Sequence, residues 1–146
     1  MGRKKARDNA FKCVYQFEFV GKDNTDNILQ YCYEENNNEE EEKEYIQKIV
    51  LGVSEKYDEI NRIILSKLKG WTINRIAKID LAILRLSIYE IMYTDVPDKV
   101  SVNEAVEIAK TYGDDNSSNF VNGVLAKVIE SKNNEEGKNL NGWKSI

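Results

Sequence analysis

Residues 73–93 are apolar on nearly every side of a helical projection, with Leu81, Ile83, Leu84, Leu86, Ile88 and Ile91 spread around the circumference. A helix of that kind has no face to give to water, so other helices must surround it. Asp80, Arg85, Ser87 and Glu90 interrupt its most apolar part, residues 79–93. That part is also shorter than the roughly 20 apolar residues a membrane span requires. It is predicted to be the central helix of a folded core, and no membrane is implied.

The rest of the chain agrees with a helical surround. One proline and eight glycines in 146 residues are too few for the closely spaced turns of a sandwich or barrel. Ala6, Ala10, Val14 and Phe17 recur at helical spacing over residues 3–20, and Phe11, Tyr15 and Phe19 form a second, aromatic stripe suited to contact. Gly21 ends this helix, and a brief helix is predicted around residues 28–33. The glutamate-rich run at 34–44 reads as a solvated linker or helix entry, because mutually repelling carboxylates resist burial. Tyr45, Ile49, Val53, Tyr57, Ile60, Ile64 and Leu68 continue a helical stripe, with Gly52 and Ser54 as the candidate break.

Pro97 places a turn at 94–99. Ser101 and Glu104 have capping-box spacing, which predicts a helix from Val102 to about Tyr112, with Gly113 as its left-handed terminator. Phe120, Val121, Val124, Leu125, Val128 and Ile129 mark the last core helix. Gly123 inside it implies close approach of a neighbouring backbone. The expected organisation is one all-α domain over residues 1–130 and a polar, flexible tail over 131–146.

The composition removes much chemistry. With no histidine, imidazole bases and imidazole metal sites are absent. No phosphate-cradling glycine loop or calcium loop occurs, and the pair Asp114 and Asp115 is too unspecific to suggest a hydrolase. A non-enzymatic protein without metal or cofactor is expected. Cys13 and Cys32 have neither metal nor redox spacing and read as ordinary thiols of a cytoplasmic protein. The basic amino terminus lacks the apolar stretch of an export signal.

Charge supplies the functional clue. Residues 1–12 carry Arg3, Lys4, Lys5, Arg7 and Lys12 against Asp8 alone, a surplus of four, so the remainder stands at −8 within a net charge of −4. A basic arm on an acidic body favours approach to phosphates, although a merely solvated terminus has the same composition. Tyr15, on the same helix, offers a ring to an unstacked base or to a neighbouring helix.

Several stretches together resemble the NusB family of bacterial transcription antitermination factors: residues 3–7 with Ala10 and Val14–Gln16, residues 79–91, Asp95–Pro97, 99–113 and 120–127. The resemblance implies two packed helical bundles of about seven helices. It also implies binding of single-stranded boxA RNA together with the ribosomal protein NusE, and indirect association with the RNA polymerase elongation complex.

By position, Arg3, Lys4, Lys5, Arg7 and Lys12 would approach RNA phosphates and bases, and Tyr15, Asp80, Asn116 and Phe120 would fall on the RNA-proximal surface. Asp80 equally has Arg75, Lys78 or Arg85 as pairing partners, Asn116 can cap the last helix, and Phe120 fits the core. The family commonly has aspartate where Asn116 stands, which lessens repulsion of RNA here. NusE would be expected on exposed side chains of the 79–93 helix and its neighbours. The alternative is a protein-interaction scaffold or homodimer with little direct RNA contact.

Overall fold

A computed structural model describes residues 3–36 and 40–145, with side-chain surroundings for all of these but 3, 22, 34–36 and 136–145. The apolar periodicities resolve into α1 (Arg3–Tyr15), α2 (Phe17–Val20), α3 (Thr25–Asn36), α4 (Glu40–Glu55), α5 (Tyr57–Ser66), α6 (Lys78–Tyr93), α7 (Asp98–Tyr112) and α8 (Ser117–Ser145). Seven of these are ten residues or longer, and no strand occurs among the described residues. No helix there is long and apolar enough to cross a membrane. The α1, α3 and α4 helices pack together as one bundle and α6, α7 and α8 as another, while α6 also contacts α1, α4 and α5.

The central helix begins later than its apolar pattern. Residues 73–75 form a 3-10 turn and Ile76 is extended, so α6 starts at Lys78. Of its residues only Lys78 is exposed, and 80–88, 90 and 91 are all buried. Ile79, Tyr89, Met92 and Tyr93 are half-buried, so on α6 the side chains open to an expected NusE contact are limited to these and Lys78.

Two of its buried charged residues, Glu90 and Arg85, are paired. Arg7 Nε donates to Glu90 Oε1 at 2.9 Å and Nη2 to Glu90 Oε2 at 3.0 Å, while the Tyr45 hydroxyl donates to Oε2 at 2.9 Å. One carboxylate thereby pins α1, α4 and α6. Arg85 pairs with Glu18, donates from Nε to Asn61 Oδ1 at 3.1 Å and stacks over Tyr57 at 4.5 Å. Burial pulls its guanidinium down to about 10, still protonated at neutral pH.

Several local expectations are corrected. The predicted 3–20 helix breaks after Tyr15, and the helix around 28–33 spans Thr25–Asn36. Gly21, at φ 83°, turns the chain back so that α3 lies along α1. That reversal brings Cys13 and Cys32 to a Cα–Cα distance of 6.3 Å as a buried disulfide rather than ordinary thiols. Glu42, within the run read as solvated, is buried because α4 turns positions 42, 45, 46 and 49 inward; residues 37–39 of that run lie outside the described residues. The break between α4 and α5 falls at Lys56. Gly52 instead lies against the Tyr89 ring, in space that a Cβ would need.

The capping box does not form. The α7 helix starts at Asp98 after Pro97, and Ser101 is buried inside its first turns with no partner for its hydroxyl. Proline had already fixed the start, since its dihedral prepares the helix and its missing N–H is no loss there. Gly113 is extended at φ −88°, not left-handed; its lack of a side chain leaves room for Ser117. Gly123 faces open space, with no neighbouring backbone among the described residues. The α8 backbone is helical through Ser145, past the expected boundary at 131, and Lys132 ties it to Ile91 O at 2.8 Å and Asp98 Oδ1 at 2.9 Å.

Candidate RNA interface

The outer face of α1 carries Lys4, Lys5 and Lys12, all exposed, while Ala6, Ala10 and Val14 fill the core. Arg7 does not join them. It is 4% exposed and committed to Glu90, so it is a structural cation rather than a phosphate contact. Burial works against its charge, and the Glu90 hydrogen bond with the nearby Tyr45 and Glu104 more than restores it, leaving its pKa raised. The signal was present in the sequence: Glu90 in an apolar helix requires a buried cation. The Arg3 side chain lies outside the described residues.

Beside the lysines runs a ladder of rings. Tyr112 at the end of α7 meets Phe11 at 5.2 Å, Phe11 meets Tyr15 at 6.2 Å, and Tyr15 meets the exposed Phe19 edge-on at 5.1 Å. Phe11 is buried, which leaves Tyr15, Phe19 and Tyr112 as the accessible members. Two ammonium groups flank them, Lys12 5.6 Å from the Tyr112 ring and Lys78 4.9 Å from the Phe19 ring. Lys12 also pairs with Asp8 at 3.5 Å, and the Tyr112 hydroxyl donates to Asp8 at 2.9 Å. Partial burial opposes the Lys12 charge, but Tyr112 and Asp8 outweigh it and hold the amine above its ordinary pKa.

Tyr15, Lys78, Asp80, Tyr112, Asp114 and Ser117 surround a shallow depression of about 490 Å³. Tyr112, Lys78 and Ser117 were not singled out from the sequence. Their common address is the α7–α8 turn facing the α6 amino terminus, a contact between segments some 35 residues apart that no local pattern reveals.

Asp80 pairs with none of Arg75, Lys78 or Arg85. It is 7% exposed, and its Oδ1 has no hydrogen-bond partner. Burial pushes its carboxyl above the ordinary value; the Ser117 hydroxyl draws it back, and the Asp114 charge pushes it further up.

The turn itself is tightly built: Asp114 N–H donates to Ser117 Oγ at 3.0 Å and Asn116 N–H to Asp114 Oδ1 at 2.8 Å. Asn116 is exposed immediately before α8, where its carbonyl accepts the Phe120 N–H at 3.0 Å. Phe120, a turn further on, is half-buried against the core and meets the exposed Trp71 at 6.1 Å. The structure thus gathers Tyr15 and Asp80 about one depression, with Lys12 against the ring of its lining residue Tyr112, Asn116 next in sequence to its lining residue Ser117, and Phe120 farther along α8.

The sequence model of the NusB family matches residues 4–130. The transcription antitermination protein NusB of Ruminiclostridium cellulolyticum is 47% identical over 129 residues, 88% of either chain. Among solved structures, T. maritima NusB superposes with a TM-score of 0.82 at 34% identity, covering 89% of this chain and 92% of its own. The crystal structure of antitermination factors NusB and NusE in complex with dsRNA includes a chain matching at TM-score 0.81 and 29% identity, over 88% of this chain and 96% of that one. Agreement in sequence and fold over nearly the whole described core establishes that the chain belongs to the NusB family.

Proposed function

We propose that this chain acts in transcription antitermination by binding boxA RNA together with NusE, through the α1 lysines and the neighbouring rings. The carrying observation is the placement of Lys4, Lys5 and Lys12 outside α1 with Tyr15 and Tyr112 alongside, which sets phosphate-binding cations next to faces on which bases can stack. Arg3 extends the same basic arm in sequence. The buried, partly unpaired Asp80 carboxyl and the exposed Asn116 amide are suited to base edges, and Phe120 offers a further ring.

The action is non-catalytic. A joint surface with NusE binds RNA more tightly than either protein alone, and the complex supports a processive elongation complex in the cytoplasm. Family membership and the NusB–NusE–dsRNA relative support this reading.

The test is fluorescence anisotropy with labelled boxA RNA and a scrambled control, with and without NusE, for the natural chain and an Arg3, Lys4, Lys5, Lys12→Ala variant. Preference for boxA, tightening by NusE and loss in the variant are expected. Little RNA binding, with no boxA preference in any mixture, would replace this reading with that of a protein-interaction scaffold.

A further inference from the structure

A second cationic groove lies between the end of α5 and the middle of α8. Lys67, Lys69, Lys127, Glu130, Ser131 and Asn134 line a depression of about 430 Å³. Lys69 and Lys127 are exposed, and the Lys67 ammonium rests on the Ser131 hydroxyl. With three lysines against Glu130, the groove is net positive on a chain that is net negative.

The groove is not isolated from the candidate RNA interface. Phe120, Gly123 and Lys127 follow one another at spacings of three and four residues, so they lie along one flank of α8, with Asn116 four residues before Phe120 at its entry. Trp71, two residues beyond Lys69, packs on Phe120 and remains 45% exposed. From that aromatic pair to Lys127 the helix rises about 10 Å.

Between them is Gly123. Glycine is a poor helix former, and here nothing among the described residues occupies the space beside it. An elongated ligand crossing α8 could approach closest at that point.

We propose that this flank is an extension of the RNA path: nucleotides beyond boxA stack at Trp71 and Phe120, cross α8 over Gly123, and place phosphates among Lys67, Lys69 and Lys127. The occupant is single-stranded RNA, because an acidic peptide would use the lysines but has no need of a ring pair leading into them. The proposal rests on the RNA-binding reading above.

The experiment compares minimal boxA RNA with RNAs extended by about six nucleotides at the 5′ or the 3′ end. One extension should tighten binding by about fivefold or more at low salt, and should steepen the salt dependence of log affinity by about 2, as three single-strand phosphate contacts require. A Lys67, Lys69, Lys127→Gln variant should lose both gains while binding minimal boxA RNA within about twofold of the natural chain. Gly123→Leu, on an exposed helical site where folding is retained, should weaken the extended RNA selectively.

Extensions that add nothing, or a gain that survives the lysine variant, overturn the proposal. So does a variant whose only defect is in joining NusE, which would assign the groove to protein. Failure of minimal boxA RNA to bind overturns the preceding reading as well, and is distinct from a neutral extension.

Discussion

At Arg7, one side chain was expected to meet RNA and instead meets Glu90. Both groups are buried, and removing one leaves the other charged without its partner. Arg7→Met should therefore cost about 3–5 kcal/mol of folding stability, read from the shift in urea midpoint. The same substitution combined with Glu90→Met should recover part of that loss. A weakened RNA affinity with unchanged stability would return Arg7 to the binding surface.

Asp80 presents the opposite case, a buried carboxyl whose pKa is raised by burial, with Ser117 lowering it and Asp114 raising it. An acid with a raised folded pKa helps folding below its unfolded pKa, and that help is lost as pH rises through the folded value. Above that range the fold carries the cost of a buried charge. Asp80→Asn should thus raise the melting temperature at pH 7, with the gain shrinking as pH falls through the raised Asp80 range toward its ordinary value. A gain of equal size at pH 7 and pH 4 would show that the charge is not its source.

Helices were legible in the sequence to the extent that apolar period determines them. The interior stripes of α1, α4, α5 and α8 appear where period 3.6 places them, and α6 is central because it has no polar side. Their ends depend on other physics. Ser101 has capping-box spacing, but Pro97 begins the helix a turn earlier, and two start signals in series cannot be ranked by pattern alone. Lys4, Lys5, Lys12 and Tyr15 were legible as a candidate surface because local charge and spacing suffice. Tyr112 and Lys78 join it only through the docking of α7 and α6 against α1.

The Cys13–Cys32 link is of this second kind, since it depends on α3 folding back over α1. Closing a loop over a separation of 19 residues should make the oxidised chain about 3 kcal/mol more stable than the reduced one by the chain-entropy argument. Chemical denaturation with and without reductant measures the difference. Equal midpoints would mean that packing between α1 and α3 already holds the two helices without the bond.

On the scale of the whole molecule, charge is divided between a basic face and an acidic remainder. Five cations in residues 1–12 stand against Asp8, yet Glu90 neutralises Arg7 inside the core, so the arm presents at most Arg3, Lys4, Lys5 and Lys12 to an RNA. Four single-strand phosphate contacts correspond to a slope of log affinity against log salt of about −3. With Lys78 beside the rings as a fifth cation the ceiling is about −3.5; minimal boxA RNA should fall at or below that steepness, and each Lys→Gln change among Lys4, Lys5 and Lys12 should reduce it by about 0.7. Outside the arm and the α5–α8 lysine groove the chain is net acidic and repels RNA, so the orientation of encounter is selected before any base is read. Anisotropy titrations at four or more salt concentrations measure the slope. A slope near zero would mean that apolar contact rather than phosphate neutralisation carries the binding, and would move the RNA away from the lysine face of α1.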